Sequence, residues 1–163
     1  MLRIGRLTLS DRASAGTYAD KSGPEIERVI RELWHEPCAF SSRILPDDPD
    51  KISAALVELC DSEDCPLVIT TGGTGPSTRD HTPEATRAVL EKELPGFGEA
   101  MRLRSFEKVP TAILSRATAG VRGKSLIINL PGNPRAIGEC LPMLLPAIRE
   151  CLSHIRPGQP AKP

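Results

Sequence analysis

The apolar positions of this chain fall into short extended runs separated by longer repeats of helical spacing, and the alternation of the two is its first structural signal. Residues 2–10 are apolar at Leu2, Ile4, Leu7 and Leu9 and read as a strand that ends at Ser10-Asp11. A polar loop over 12–23 follows. Ile26, Val29, Ile30, Leu33 and Trp34 then recur at the spacing of one helix face, with Pro24 accommodated in the first turn. A second strand over 39–45 stops at Pro46-Asp47-Asp48-Pro49. Ile52, Ala55, Leu56, Leu59 and Cys60 repeat the helical spacing, and residues 66–70 form a third strand.

In the second half, Thr82 is placed to cap a helix whose first position is Pro83, with Ala85, Ala88 and Val89 facing inward. Pro95-Gly96 is expected to end that helix, and 97–106 to form another. Segments 112–121 and 125–130 read as strands, and the turn Arg122-Gly123-Lys124 between them predicts an antiparallel hairpin. A last helix follows Asn133-Pro134, with Ile137, Cys140, Leu141, Leu144, Leu145, Ile148 and Leu152 on one face; Pro142 and Pro146 should kink or split it. Three strand–helix alternations followed by a hairpin predict an α/β fold, a three-layer αβα sandwich whose mostly parallel sheet carries one antiparallel strand. Residues 1–155 are expected to form a single domain, and the proline-containing stretch 156–163 a frayed tail.

The segment richest in chemistry lies where the third strand meets the next helix. Thr71, Gly72, Gly73, Thr74, Gly75 and Ser77 put glycines and hydroxyls at a strand–helix junction, with Asp80 close behind. Glycine lets the backbone approach a ligand, and successive N–H groups near a helix N-terminus can cradle phosphate. A tight turn without a ligand is the competing explanation for a bare Gly-Gly pair; the flanking hydroxyls and the acid favour the site. No Gly-Lys-Ser/Thr follows, so this is not a P-loop, and the third glycine of a dinucleotide fingerprint is missing. In open α/β sheets, ligands bind beyond the carboxyl ends of the strands. Four polar strand ends should therefore share one rim: Ser10-Asp11, Pro46-Asp47-Asp48, the glycine turn, and Asn129-Leu130-Pro131-Gly132-Asn133. Asp47 and Asp80 suit Mg²⁺, which takes one or two carboxylates together with substrate phosphates. Asp48 and Asp50 read as turn caps, and Asp11 fits a turn or a site equally. Arg79, Arg102 and Arg116 could pair with phosphate; nothing in the spacing of His81 or the other histidines suggests a catalytic triad.

Composition narrows the classes. The 21 basic and 21 acidic side chains cancel, and aromatic residues make up 3%, so neither a basic field nor a stacking groove marks a nucleic-acid partner. The apolar runs are too short for a membrane span. The chain enters a strand at once with no room for a leader, which predicts a cytoplasmic protein. Five cysteines without a CxxC pair argue against a disulfide framework or a structural zinc site.

Together, Thr71-Gly72-Gly73-Thr74-Gly75, Arg79-Asp80, Thr82-Pro83-Glu84-Ala85-Thr86, Ser10-Asp11-Arg12-Ala13, Pro95-Gly96-Phe97-Gly98-Glu99, the 112–117 segment and Asn129-Leu130-Pro131-Gly132-Asn133-Pro134 resemble the molybdopterin-binding family of molybdenum cofactor synthesis, over nearly the whole chain. Within it the chain is most similar to the stand-alone adenylyltransferases. The resemblance implies a homotrimer and an ATP- and Mg²⁺-dependent transfer of AMP to the phosphate of molybdopterin, with release of pyrophosphate. It implies that Asp47 and Asp80 are the essential acids, that Ser10, Asp11, Ser77 and the glycine turn bind ligand, and that Asn129, Pro131, Gly132 and Asn133 belong to a loop closing the site. A carrier or assembly module of the same fold, bound to the molybdate-inserting enzyme, is the alternative. His81 stands where the family usually has an apolar residue.

Overall fold

A computed structural model describes residues 1–158. Six strands form one sheet: β1 (Leu2–Leu9), β2 (Cys38–Leu45), β3 (Leu67–Thr71), β4 (Lys92–Glu93), β5 (Ala119–Arg122) and β6 (Ser125–Leu130), in the order β2-β1-β3-β6-β5-β4. The β2-β1-β3-β6 block is parallel. β5 alone runs against its neighbours, pairing antiparallel with β6 and with β4. The expected mostly parallel sheet with one reversed strand is thus the observed one. β3 and β6 are buried at every position, which is why they read as continuous apolar runs.

Helices cover both faces. On one, α2 (Ser22–Leu33), α5 (Gly96–Phe106) and α6 (Pro134–Ile155) bury Ile26, Ile30, Met101, Ile137, Leu141 and Ile148 against Ile4, Ile69 and Ile128. On the other, α3 (Pro49–Val57), its one-turn π extension Glu58–Ser62 and α4 (Thr82–Val89) pack Ile52, Leu56, Leu59, Ala85 and Val89 onto Leu7, Leu9, Val68 and Ile127. Each fully buried Ile or Leu contributes about 1.5–3 kcal/mol. A four-residue helix, α1 (Asp11–Ser14), follows β1 inside the expected polar loop.

Several expectations are corrected. α4 ends at Val89, before Pro95, and the short strand β4 follows it. Ala88 is exposed, and Thr86 takes the inward position. Residues 112–121 are not one strand: Pro110–Leu114 forms a 3₁₀ turn and pairing begins only at Ala119. α6 runs unbroken through Pro142 and Pro146. Both prolines lie four apart on its exposed side, where water can take the carbonyls they leave free, while the buried face holds the helix in place. The expected frayed tail begins with an anchored residue, because Arg156 is buried and donates to the Asp64 carboxylate and the Lys124 carbonyl. Residues 159–163 of that tail lie outside the described residues.

Asn129 is the largest correction. Expected at the ligand rim, it is fully buried, one ladder position inside the sheet opposite Thr70. Its amide donates to Thr70 Oγ1 (3.0 Å) and to Thr86 Oγ1 on α4 (2.9 Å), and its side-chain oxygen accepts from Thr118 N–H. The residue pins α4, which leaves the glycine turn, to the centre of the sheet. Asn129→Ala should cost about 1–3 kcal/mol in urea unfolding, because the buried Thr118 N–H then loses its side-chain acceptor; a loss below ~0.5 kcal/mol would show the network to be dispensable.

Candidate active site

The chain passes from β1 to β2 on one side of β1, then to β3 on the other. The carboxyl ends of β1 and β3 therefore border a crevice at a topological switch point. Gly72 and Gly73 follow β3 with φ of 95° and 63°. A Cβ on Gly72 would overlap the carbonyl oxygen of Leu9, the last residue of β1, so only glycine lets the turn fold across that strand end. At Gly73 a side chain would strike the Thr82 hydroxyl and stand 3.1 Å from Asp47 Oδ1. Thr82 does not cap its helix as expected. Its hydroxyl donates to the Gly72 carbonyl (2.8 Å) and its N–H to that of Gly73 (3.1 Å), tying α4 to the turn. His81 takes the N-cap position without a side-chain capping bond.

Asp11 and Asp47, from neighbouring strand ends, hold each other. Asp11 N–H donates to Asp47 Oδ2 (3.1 Å), and Asp47 N–H donates to Asp11 Oδ1 (3.0 Å). Arg79 forks onto both Asp11 oxygens; that hydrogen-bonded ion pair, helped by the Asp47 N–H, holds the Asp11 carboxyl below its ordinary pKa. Asp47 goes the other way. Burial, and then the charges of Asp11 and Asp80, push its pKa up. Its Oδ1 is buried with no hydrogen-bond partner. Asp80 borders the same turn, with Oδ2 2.8 Å from where a Gly75 side chain would begin and accepting from Ser77 N–H (3.0 Å). Asp47 and Asp80 thus flank one glycine turn within electrostatic reach of each other. Asp48 caps α3, as its position before Pro49 suggested.

The other candidates divide into surface and support. Thr71 is buried, and its hydroxyl donates to the Pro131 carbonyl (2.8 Å). Ser10 caps α1, Asn133 caps α6, and Ser77 Oγ accepts from Arg79 N–H. Thr74 is buried, and its carbonyl accepts from Arg116 N–H. Gly132 lies directly against Gly72. The three arginines considered for phosphate are already engaged by protein groups: Arg79 by Asp11, Arg102 by the carbonyls of Ser115 and Ala117, and Arg116 by those of Gly75 and Asp80 and by Glu84. A cavity of about 240 Å³ opens beside Gly72 and Gly132, walled by Ser10, Asp20, Ser22 and Tyr18 among others. Neither Asp47 nor Asp80 lines it; they stand at the next glycines. A second cavity of about 360 Å³ lies across the 131–133 loop, against Arg102, Lys108 and Arg135.

Residues 5–150 match the family model described as a probable molybdopterin binding domain. The chain belongs to this molybdopterin-binding family. All the candidate residues, from Ser10 to Asn133, fall within the matched span. A molybdopterin adenylyltransferase of Helicobacter pylori J99 is 54% identical, over 94% of this chain and 88% of that protein. The molybdopterin adenylyltransferase of Escherichia coli K12 is 50% identical, over 86% of this chain and 72% of that protein. The crystal structure of the molybdopterin biosynthesis enzyme MoaB from Thermus thermophilus superposes with a TM-score of 0.89 at 42% identity, covering 99% of this chain and 100% of that one. The six-stranded sheet and its rim of strand ends are thus a fold shared with members of the molybdopterin-binding family.

The raised pKa of Asp47 has a signed consequence. A carboxylate whose folded pKa exceeds its unfolded value weakens the fold above the folded pKa, and that cost disappears as pH falls below the unfolded pKa. Removing the charge should therefore not hurt folding. Asp47→Asn is expected to melt at or above the wild-type temperature at pH 7, with the difference vanishing in acid; a lower melting temperature at pH 7 would mean that the ionised form is favoured by the fold.

Proposed function

We propose that this chain is a molybdopterin adenylyltransferase, transferring AMP from ATP to the terminal phosphate of molybdopterin with release of pyrophosphate. The observation that carries the reading is the pair of acids, Asp47 and Asp80, flanking one glycine turn at the carboxyl ends of the parallel strands, with Asp47 Oδ1 buried and unpartnered. Names of relatives at 50–54% identity support the same activity.

The two acids fit a hard divalent cation. An unpartnered buried carboxylate oxygen is a ligand in waiting, and Mg²⁺ takes one or two such groups beside phosphate oxygens and water. Among the described residues no set of three or more His, Cys, Asp or Glu gathers as a metal cage, which suits an ion shared with substrate. Bound there, Mg²⁺ would supply charge neutralisation to the phosphates.

The nucleophile is a phosphate monoester with a second pKa near ~6, already largely a dianion at neutral pH. No protein base is required to create it. An oxygen of the molybdopterin phosphate forms a bond to the α-phosphorus of ATP; the bond from that phosphorus to the β-bridging oxygen breaks, and pyrophosphate departs with the electron pair. The chain's task is to bring anions together and align them. The turn at Gly72-Gly73 closes onto the end of β1 and sets Asp47 beside it, Arg116 holds the carbonyls of Gly75 and Asp80, and Gly132 borders the crevice.

Purified protein mixed with molybdopterin, ATP and Mg²⁺ should yield adenylylated molybdopterin and pyrophosphate. Asp80→Asn should lower kcat by about 10²-fold or more while molybdopterin still binds in calorimetry. If raising the pH restored the rate of that variant, Asp80 would be a proton carrier instead. Wild-type protein that binds molybdopterin without turnover would establish the carrier role.

A homotrimer belongs to the same reading. Leu103 (71% exposed), Phe106, Val109, Ile113 and Leu114 form an apolar surface on α5 and the 3₁₀ turn, more than a lone surface leucine would account for. Leu103→Lys combined with Ile113→Lys should shift the species seen by light scattering from trimer to monomer; an unchanged mass would place the interface elsewhere. The molybdate-inserting enzyme is the partner this reading assigns to receive the product. A cytoplasmic location accompanies it, supported by five cysteines that all stay unpaired.

A further inference from the structure

Arg6, a charged side chain in the middle of β1, is buried under the N-terminus of α2. Its Nη1 donates to Thr8 Oγ1 (3.0 Å) and to Asp20 Oδ2 (2.9 Å), and its Nε and Nη2 donate to Glu27. Thr8 donates to the same Asp20 oxygen (2.8 Å). The other Asp20 oxygen accepts the backbone N–H groups of Ser22 and Gly23. Both carboxylate oxygens are therefore used, one on the sheet and one on the start of α2. At Gly23 a side chain would overlap Arg6 and Asp20, so the helix can sit this low only as glycine. The result is that Ser22 stands at a height set by β1. From there its hydroxyl donates to the carbonyl of Gly132 (2.6 Å).

Gly132 lies on Gly72, and the neighbouring Pro131 carbonyl accepts from Thr71. The 131–133 loop is thus hung from two hydroxyls, one on each side of the crevice. Asp20, Ser22, Gly72 and Gly132 all line the same cavity of about 240 Å³.

We infer that Ser22, held by the Arg6–Asp20 ion pair, is a positioning residue that fixes the 131–133 loop over the glycine turn and so sets the width of the ligand crevice. Ser22 does not enter the chemistry. It acts through Gly132, and the buried ion pair supplies the rigid reference, since breaking it would strand a charge. A loop released from one of its two anchors samples wider positions, and misplacement by about 1 Å can cost on the order of 10²-fold in rate. The kinetic part of the inference rests on the adenylyltransferase reading; the structural part does not.

Two measurements separate them. Hydrogen exchange at the amides of Gly132, Asn133 and Arg135 should quicken by about tenfold in Ser22→Ala, and return in Ser22→Thr, which keeps the hydroxyl. In steady-state assays Ser22→Ala should lower kcat/KM for molybdopterin by about 10-fold, more than it lowers kcat at saturating substrate, with an unchanged melting temperature and rescue by Ser22→Thr. Asp20→Asn, which breaks the reference itself, should lose melting temperature as well. Unchanged exchange at those amides in Ser22→Ala would overturn the inference, and so would quickened exchange with wild-type kcat/KM. If the wild-type protein shows no adenylylation at all, the proposed function fails, and the exchange measurement alone decides whether Ser22 holds the loop.

Discussion

The site is possible because the backbone after β3 crosses the end of β1 at a distance no side chain would allow. Gly72 sits on the Leu9 carbonyl, and Gly73 leaves room for Thr82 and Asp47. With any Cβ at Gly72, β3 and its turn would have to move away from β1, and the crevice at the switch point would open. Everything else is arranged around that approach. Thr82 draws α4 onto the turn, Asn129 pins α4 to the sheet, and Arg116 binds the carbonyls of Gly75 and Asp80 from the far side. The turn is held from several sides, and two consecutive residues of positive φ persist there because both are glycines.

Electrostatics is the second constraint. Asp11 and Asp47 hold each other, Arg79 answers Asp11 directly, and Asp80 stands within electrostatic reach of Asp47. The sheet brings Asp11 and Asp47 together past the ends of neighbouring strands; Arg79 answers the charge of Asp11, while burial first, and then the charges of Asp11 and Asp80, weigh on Asp47. Asp47 Oδ1 is also buried without a hydrogen-bond partner. A buried carboxylate held in place by hydrogen bonds with Asp11 is what the proposed cation site requires. A cation shared with phosphates would supply the partner that Asp47 Oδ1 lacks.

The fold was legible in the sequence wherever burial and periodicity coincide. Val68 and Ile69, running into Gly72-Gly73, mark both a central strand and its turn, and the strand-end rule brings Asp47 and Asp80 to one edge. It failed where apolar character served another purpose. Ile113 and Leu114 imitate a strand but are exposed on a 3₁₀ turn after Pro110, because their hydrophobicity belongs to a surface. Pro142 and Pro146 read as breaks because local propensity carries no knowledge of the packed face opposite them. Asn129 read as a rim residue, although pairing with Thr70 places it one step inside. Of the Arg6–Asp20–Ser22 support, Asp20 and Ser22 were hidden in a segment read as loop, and Arg6 in a strand read only for its apolar positions. Its trace is Asp20-Lys21-Ser22-Gly23, an acid two residues before a helix that begins at Ser22, whose carboxylate takes the first N–H groups.

The central claim is that the fold holds Asp47 as a buried acid with one unpartnered oxygen, poised for a cation-bound phosphate. Carbon-13 titration of the aspartate carboxyls by NMR, with Asp47→Asn to assign the signal, tests it directly. Without ligand, Asp47 should titrate above the ordinary aspartate value of 3.8 and Asp11 below it, and Mg²⁺ with a non-hydrolysable ATP analogue should draw Asp47 downward. An Asp47 that titrates at or below the ordinary value in the free protein, and does not respond to the nucleotide and metal, would contradict the account.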